Sequence, residues 1–266
     1  MKKVISVVLA GFMVAALATG CGSSDIASNA GSNASGSDVA SETLTDGVLT
    51  VGTNAEFPPF EYVGDDGQPD GFDIALIKAV GEKLGVEVVV ENMEFDSLVS
   101  SIGSKIDVAI AGMTVTEERQ QSVDFSEPYY NAVQHVLVPK DSPIATYDDL
   151  VGKTIGCQLG TTGDFLIEEI EGATAQQYNK GVDAVNDLVN GRLDAVIIDS
   201  NPAGVFASNY PDQIKDLNGE DFGFGIEEYA IAIPKGDKAL KEAIDVAVTT
   251  LKEDGTFDKL VDEYMD

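Results

Sequence analysis

The sequence DVAIAGMTVTEER occupies positions 107–119. Its first five residues form a mostly apolar run of strand length, and Gly112 follows as a turn residue. Thr116 then stands at the position of a helix N-cap, with two acidic residues in the first helical turn behind it. This order of strand, glycine turn and capped helix predicts an α/β fold, in which ligands bind beside the carboxyl ends of the strands.

The same alternation of strand and helix patterns continues over residues 46–266. Strands are predicted at 48–52, 86–90, 107–111, 153–158, 174–178, 194–198 and 229–233. Helices are predicted at 72–84, 97–105, 164–171, 181–190, 238–252 and 256–264. The acidic segment 64–71 lacks the ligand spacing of a calcium loop, so it is predicted to be a turn between extended segments.

The composition of the chain excludes several functions. Among its 266 residues, 46 are Asp or Glu and 16 are Lys or Arg, which gives a formal charge of −30. A nucleic-acid partner needs a basic surface, so this charge excludes one. A single histidine argues against a site built from several imidazoles, and two cysteines cannot form a disulfide scaffold. The chain also lacks a phosphate-binding glycine loop, so we predict no cofactor, no metal and no catalytic residue.

The N-terminal segment has the pattern of an export signal. Two lysines precede fifteen uncharged residues, 4–18, and as a helix these reach about 22 Å, short of the ~30 Å of a bilayer core. The small residues that end in Cys21 resemble a bacterial lipobox, with Ala18 where Leu is usual. An ordinary signal peptide is the alternative. We predict a signal peptide at 1–20, a lipidated flexible tether at 21–45, and an extracytoplasmic protein anchored by lipid to the cell membrane.

Two charged residues at strand ends are candidate ligand contacts. Arg119 is one of only two arginines in an acidic chain, and a planar guanidinium suits carboxylate recognition. A surface pair with Glu117 or Glu118 is the alternative. Asp199 is the first charged residue after the apolar strand residues 195–198, and its alternative role is to cap the next helix.

A third strand end carries the sequence GTTGD at 160–164. Its glycines allow the backbone to approach a ligand closely, and threonine hydroxyls with free N–H groups at a helix start form an anion site. Many loops share this pattern, so on its own it is weak evidence for a site.

In combination, these segments resemble a known family. The motifs that carry the resemblance are TNAEFPPFE (53–61), GFDI (71–74), AGMTVTEER (111–119), DFSEPYY (124–130), GTTG (160–163), LDAVIID (193–199) and IPKG (233–236). Their order is similar to that of the polar amino-acid-binding proteins of bacterial ABC importers, solute-binding protein family 3, and they extend through nearly all of residues 46–266. The resemblance implies a periplasmic-binding-protein-like type II fold, with two α/β lobes joined by two hinge strands.

The family fold, carried over to this chain, places lobe 1 at 46–131 and 230–266 and lobe 2 at 132–229. The two hinge crossings then fall near Asn131–Gln134 and Glu227–Ala230. A ligand that contacts both lobes binds the closed arrangement more tightly than the open one, and it therefore shifts the hinge equilibrium.

The resemblance also implies a role for each residue of the site. Arg119 matches the residue that binds the ligand α-carboxylate, and Asp199 matches the residue that binds the α-ammonium. Lobe 1 adds contacts from Gly112, Met113 and Thr114. Five further residues surround the ligand, two threonines at its carboxylate and three residues at its side chain: Thr161, Thr162, Asn54, Phe57 and Phe95. For the two phenylalanines, packing in the core is the alternative.

The implied function is that of a non-enzymatic, monomeric lipoprotein that captures a polar amino acid and delivers it to its cognate ABC permease. Relatives that bind cationic or amide side chains often have an acid where Asn54 stands. A neutral Asn favours glutamine or another uncharged polar ligand, and basic amino acids stay open. Two alternatives from other classes are an amino-acid-sensing binding protein and a dehydratase of the same fold.

Overall fold

The structure, a computed structural model, describes residues 47–265. The predicted signal peptide (1–20), the tether (21–45) and the lipidation site Cys21 lie outside the described residues. The strands are β1 (Val48–Thr53), β2 (Glu56–Phe57), β3 (Glu61–Val63), β4 (Pro69–Asp70), β5 (Glu87–Asn92), β6 (Val108–Ala109), β7 (Val123–Phe125), β8 (Tyr130–Pro139), β9 (Thr154–Gln158), β10 (Thr174–Tyr178), β11 (Ala195–Asp199), β12 (Ile214–Leu217), β13 (Ile226–Tyr229) and β14 (Ala232–Pro234).

The α-helices are α1 (Phe72–Leu84), α2 (Leu98–Ser101), α3 (Glu117–Ser122), α4 (Thr162–Glu169), α5 (Gly181–Val189), α6 (Ser200–Asn209), α7 (Lys238–Glu253) and α8 (Thr256–Tyr264). Short 3₁₀ helices lie at Phe95–Ser97, Tyr147–Leu150 and Gly219–Phe222. Among residues 47–265, no helix combines the length and the apolar character needed to cross a membrane.

Helix α1 shows how the sequence sets the ends and the buried face of an element. Its apolar residues recur at helical spacing, and Ile74, Ile77 and Leu84 are buried. Gly85 adopts a left-handed conformation with φ of 71°. This conformation turns the backbone away from the helix axis, so the helix ends there. The buried face packs against β5, α7 and α8, so the last two helices of the chain cover the same sheet as the first.

The first sheet has five strands in the order β5–β1–β6–β14–β7. Strand β1 runs parallel to both β5 and β6, whereas β14 is antiparallel to β6 and β7. Leu49, Val51 and Ile110 are fully buried beneath the helices, and this apolar burial is the main term that stabilises the sheet. The sheet is completed by a strand from the C-terminal part of the chain.

The second sheet is built from one continuous segment, and its main path has the order β10–β9–β11–β8–β12. Strand β9 is parallel to β10 and β11, while β8 is antiparallel to β11 and β12. Val136, Leu137 and Val138 are consecutive residues of β8 and are all fully buried. Both faces of this sheet are therefore covered, as is usual in α/β proteins.

Two paired strands connect the sheets. Strand β8 starts soon after β7 ends, and β13 pairs antiparallel with its first half, so that Tyr229 lies opposite Tyr130 and Glu227 opposite Ala132. The chain leaves the first sheet along β8 and returns along β13. The α/β fold with two sheet-rich lobes predicted from the sequence is confirmed.

The helix predicted at 97–105 is wrong in length. The structure has a 3₁₀ turn at Phe95–Ser97 followed by the single α-helical turn Leu98–Ser101. Gly103 has a φ of 76°, and this left-handed residue turns the chain toward β6 before the helix can continue.

The strand predicted at 229–233 is two strands. Tyr229 ends β13 and Ala232 begins β14, which belongs to the first sheet. Between them, the N–H of Ala230 donates to the carbonyl oxygen of Met113 at 3.1 Å. The apolar run is continuous in sequence, but its backbone partners change as the chain passes from one lobe to the other.

A three-stranded sheet, β2–β3–β4, precedes α1 and was not predicted. Its strands have only two or three residues each, too few for an alternating pattern to stand out. The turn predicted at 64–71 is confirmed over 64–68, which joins β3 to β4, and the N–H of Gly64 donates to the carbonyl oxygen of Gln68 at 2.8 Å. Its last part is wrong, because Pro69–Asp70 form β4.

Candidate functional site

A narrow cavity lies between the two sheets and is lined by residues of both. Its walls are formed by residues at or just after the ends of β1 and β6 in the first sheet and of β9 and β11 in the second. Carboxyl ends of strands are where α/β sheets bind ligands. The residues that line the cavity are Phe57, Phe95, Ala111, Gly112, Thr114, Arg119, Gln158, Thr161, Thr162 and Asp199.

Arg119 reaches the cavity from the first turn of α3. Thr116 caps this helix as predicted, since its hydroxyl oxygen accepts from the N–H of Arg119 at 3.1 Å. The guanidinium donates to the carbonyl oxygen of Thr114 at 2.7 Å and, across the cleft, to that of Gly160 at 3.0 Å. It also lies 5.3 Å from the centre of the Phe95 ring, within the range of a cation–π contact.

The charge of Arg119 has no direct counter-ion in the described part of the chain. The residue is 8% exposed, and neither Glu117 nor Glu118 forms an ion pair with it. Burial lowers the pKa of Arg119, and the nearby carboxylates of Glu227 and Asp199 oppose that effect. A buried guanidinium with unused donors is a suitable partner for a ligand carboxylate.

Asp199 stands at the N-cap position of α6, but its side chain makes no capping hydrogen bond. The carboxylate instead accepts from the hydroxyl of Tyr229 at 2.5 Å. Burial, and after it the neighbouring Glu227, raise the pKa of Asp199 to about 7, and the hydrogen bond from Tyr229 opposes that rise. A cationic ligand group at this carboxylate would stabilise its charged form.

Two buried aspartates hold the glycine turns on opposite sides of the cavity. The N–H of Gly112 donates to Asp73 at 2.7 Å, and the N–H of Gly160 donates to Asp164 at 3.1 Å. Both glycines have positive φ, 52° and 76° respectively, a conformation that favours glycine. Asp73 and Asp164 each lie in the first turn of a helix, so each lobe fixes its own turn in the same way.

A second carboxyl, Glu61, lies beside Asp73, and both residues are fully buried. Neither oxygen of Glu61 nor Oδ1 of Asp73 has a donor among residues 47–265, and one proton shared by the pair would supply it. Burial and the neighbouring Asp73 raise the pKa of Glu61 well above its usual range. Burial raises the pKa of Asp73 to about 6, opposed by the hydrogen bonds from Gly112 and Tyr129. Glu61 therefore carries the proton, and Asp73 carries the charge that holds Gly112.

The threonine hydroxyls of the second lobe are already engaged. Thr161 caps α4 by accepting from the N–H of Asp164 at 3.3 Å, and it donates to the carbonyl oxygen of Gln158 at 2.8 Å. The hydroxyl of Thr162 donates to Glu227 at 2.7 Å. Since a hydroxyl has one hydrogen to donate, the groups left for an anionic ligand are the backbone N–H groups at the start of α4.

Side-chain amides form the wall at one end of the cavity. Gln158 donates to Oδ1 of Asn54 at 2.8 Å and to the carbonyl oxygen of Asn179 at 3.0 Å. Asn54 in turn donates to the carbonyl oxygen of Met93 at 2.9 Å. The amide oxygen of Gln158 accepts no hydrogen bond from residues 47–265, so it is the acceptor that this wall offers to a ligand.

Most of the predicted site residues meet in this cavity, with two exceptions. Asn54 lies one side chain behind Gln158 and does not line the cavity itself. The side chain of Met113 is fully buried in the hydrophobic core of the first lobe, in the same cluster as Leu98 and Phe125. Within the described residues, no group of three or more His, Cys, Asp or Glu side chains is placed to bind a metal ion.

Comparison with known proteins gives this arrangement a family. The model for "Bacterial extracellular solute-binding proteins, family 3" matches residues 49–266. The chain belongs to this family. The family predicted from the motifs and its type II periplasmic-binding-protein fold are therefore confirmed.

Two relatives match this chain over most of their own length. The arginine-binding extracellular protein ArtP of Bacillus subtilis (strain 168) is 35% identical over 98% of this chain and 96% of its own. The ABC transporter arginine-binding protein 1 of Escherichia coli (strain K12) is 34% identical over 81% of this chain and 90% of its own.

Solved structures of an ancestral arginine-binding protein have the same fold. Bound to arginine, that protein has a TM-score of 0.78 and 38% identity, covering 83% of this chain and 99% of its own. Bound to glutamine, it has a TM-score of 0.77 and 39% identity, covering 83% of this chain and 99% of its own.

Sequence reasoning missed two residues that line the cavity, Ala111 and Gln158. It also missed three residues that hold the cavity walls: Tyr229, Glu227 and Asp73. Glu227 and Tyr229 fall in the predicted hinge crossing, but no local pattern indicates that their side chains hydrogen-bond to the cavity-lining residues Thr162 and Asp199. Asp73 lies in the GFDI motif, which identifies the family without indicating its bond to Gly112. Gln158 is the last residue of β9, and its strand-end position was the one usable signal.

Proposed function

We propose that this chain captures one free amino acid in the cavity, with Arg119 binding the α-carboxylate and Asp199 the α-ammonium. One observation carries the proposal: a buried cation and a buried anion face the same small cavity from opposite lobes. The backbone of an amino acid presents the two complementary charges a few bonds apart. Each ligand charge then has a partner of opposite sign, and binding removes the free-energy penalty of burying the two protein charges unpaired.

We propose glutamine as the first candidate ligand and arginine as the second. The amide oxygen of Gln158 and the rings of Phe57 and Phe95 suit a planar side chain that carries N–H donors, which describes a carboxamide or a guanidinium. Of the cavity-lining residues within 47–265, Asp199 alone carries a carboxylate. Glu56, near Asn54 in sequence, is paired with Lys180 at 2.5 Å. This lack of a second free carboxylate favours the neutral side chain, and the glutamine-bound and arginine-bound relatives support both candidates.

The bound amino acid is delivered outside the cytoplasm to a cognate ABC permease, with no chemical step on the protein. The family match and the ABC-transporter relative support this role. A dehydratase activity is the weaker alternative, because the relatives described above are named as binding proteins.

We propose that the two lobes are 46–131 with 230–266, and 132–229, and that they close about Asn131–Gln134 and Glu227–Ala230. The pairing of β8 with β13 supports this placement, since these strands carry the chain between the two sheets. Short paired connections of this kind are where hinge motion concentrates.

We propose that Cys21 is lipidated and that residues 22–45 tether the folded part to the membrane. The support is the small-residue run that ends in Cys21 and the polar composition after it. Cys21→Ala should move the protein from the membrane fraction to the soluble fraction. Mass spectrometry of the wild type should find the lipid on Cys21, and an unmodified mature N-terminus at another residue would reject the anchor.

A thermal-shift screen against the twenty amino acids tests the central proposal. A ligand at a hundred times its dissociation constant should stabilise the fold by about 2.7 kcal/mol. Arg119→Ala should strongly reduce the shift, whereas Arg192→Ala should keep it, because Arg192 is exposed and paired with Asp187. If none of the twenty raises the melting temperature of the wild type, the proposed function is wrong.

A further inference from the structure

Glu227 joins three segments of the molecule through one carboxylate oxygen. Its Oε2 accepts from the hydroxyl of Thr114 at 2.6 Å and from the hydroxyl of Thr162 at 2.7 Å. A longer contact of 3.5 Å comes from the amide of Gln134 on β8. Thr114 follows β6 of the first sheet and Thr162 begins α4 of the second lobe, so this one oxygen lies between the two lobes at the hinge.

Of these three bonds, the one from Thr162 to Glu227 crosses the cleft, because backbone contacts hold β13 against the first lobe. The N–H of Val115 donates to the carbonyl oxygen of Glu228 at 2.9 Å, and Thr114 bridges to Tyr229. These backbone contacts fix β13 to the first lobe at this point, so Glu227 and Thr114 stay together when the lobes move. Glu227 itself belongs to the hinge crossing, so the bond from Thr162 joins the second lobe to a hinge segment that is held against the first lobe. Separation of the lobes must break this bond.

Glu227 lies behind the ligand cavity rather than in its wall. It lines a separate, more open groove together with Thr116 and Ile226, and the cavity is lined by the two threonines that donate to it. Because both hydroxyl hydrogens point to Glu227, they are not available to the α-carboxylate of an amino acid. The role of Glu227 is therefore separate from direct ligand contact.

We propose that Glu227 is a positioning residue that stabilises the closed arrangement of the lobes through the hydroxyl of Thr162. The share of protein that is closed before ligand arrives depends on this bond. The apparent dissociation constant of a ligand equals its intrinsic value divided by the fraction of protein in the binding-competent state. Loss of the bond therefore lowers the affinity for every ligand by the same factor. This effect on affinity rests on the proposed function, whereas the effect on closure does not.

Glu227→Gln is the test, with Glu228→Gln as its matched control, because Glu228 is the exposed neighbour on the same strand. Small-angle scattering without ligand should show a larger radius of gyration for Glu227→Gln than for the wild type and for Glu228→Gln. Calorimetry should show affinity about tenfold weaker, as for the loss of one charge-assisted hydrogen bond. The factor should agree within about threefold for glutamine, arginine and glutamine α-amide.

Thr162 supplies an independent route to the same bond. Thr162→Val should reproduce the larger ligand-free radius, Thr162→Ser should restore the wild-type radius, and Thr162→Val added to Glu227→Gln should change little more. Equal ligand-free radii for wild type and Glu227→Gln would overturn the proposal. So would tighter binding by Glu227→Gln, because it would mean that Glu227 competes with the ligand carboxylate. The scattering comparison stands even if no amino acid binds the wild type.

Discussion

The hydroxyl of Tyr229 lies 2.5 Å from Oδ1 of Asp199, and both side chains are buried. Tyr229 ends the hinge strand β13, whereas Asp199 ends β11 in the second sheet. A phenol that donates to a carboxylate favours its charged form. The chain thus opposes, with one hydrogen bond at the hinge, the rise in pKa that burial imposes on Asp199.

Tyr229→Phe should weaken amino-acid binding several-fold at pH 7 and less at pH 8.5. Removal of the hydroxyl raises the pKa of Asp199 above about 7, so fewer molecules carry the charge that binds the ligand ammonium. Calorimetry at the two pH values measures the difference. Tyr178→Phe is the control, because it removes a hydroxyl that donates to Asp187. A loss of equal size at both pH values would mean that Tyr229 acts through packing alone.

Ligand affinity of the wild type should rise with pH between 5 and 7 and then level off. The pKa of Asp199 is raised to about 7, and the ligand ammonium binds the charged form, so each unit of acidity below 7 costs about a factor of ten. Calorimetry across this range measures the profile. Asp199→Asn should remove the slope, and a flat wild-type profile would contradict the role of Asp199.

Arg119→Ala and Asp199→Ala should each cost roughly 2–5 kcal/mol of binding, or about 30- to 5,000-fold in affinity. Either change leaves one ligand charge buried without its partner. Ligand analogues separate the two roles. The α-amide should bind the wild type weakly and lose little more on Arg119→Ala, and the deaminated acid should behave likewise on Asp199→Ala. If both variants keep the parent affinity within about threefold, these residues do not bind the ligand charges.

Glu61→Gln should become more stable relative to the wild type as the pH rises above 4.5, the ordinary pKa of a Glu side chain. The pKa of Glu61 is higher in the folded chain than its ordinary 4.5. Its contribution to stability is therefore complete below that value and is lost as the pH rises through the folded pKa. The amide of Gln supplies the same donor to Asp73 without a titrating proton. Urea unfolding across this range measures the difference, and Glu87→Gln on the exposed edge of β5 should run parallel to the wild type. A difference that shrinks with rising pH would contradict the shared proton.

Gly112→Ala should weaken ligand binding, whereas Gly103→Ala should not. Both glycines have positive φ, 52° and 76°, so either substitution costs on the order of 1 kcal/mol of stability. A Cβ at Gly112 would lie 2.9 Å from the ring of Phe57, while nothing lies within 4 Å of one at Gly103. Unfolding of both variants measures the loss of stability caused by backbone strain, and calorimetry measures the loss of affinity caused by displacement of the cavity wall. Equal losses of affinity would show that the Phe57 contact is unimportant.

Strand ends were the informative part of the sequence. Arg119 and Asp199 were candidates because each lies at or just after the carboxyl end of a strand, and the family resemblance placed both at one site although they belong to different sheets. Glu227 and Tyr229, which hydrogen-bond to cavity-lining residues, could not be placed there. They reach those residues only because β13 passes beside Thr114 on its way back to the first sheet. The continuous apolar run 229–233 hid that crossing.

Burial of polar groups was the other property that sequence could not supply. Glu61 resembles any acid beside a short strand, and its full burial depends on how the three-stranded sheet meets α1. Met113 was grouped with its neighbours Gly112 and Thr114, but alternation along an extended segment turns its side chain into the core. Both cases depend on the direction of a side chain, which spacing in a short segment does not fix.

Strand β14 fills the place between β6 and β7, although the whole second sheet separates it from them along the chain. A polypeptide that is synthesised from its N-terminus can therefore complete the second lobe while the first still has a gap. The edges of β6 and β7 stay unpaired until Ala232 arrives to pair with Ala109 and Phe125. The lobe that begins to form first is finished last, and a chain stalled before that point exposes two strand edges that invite aggregation.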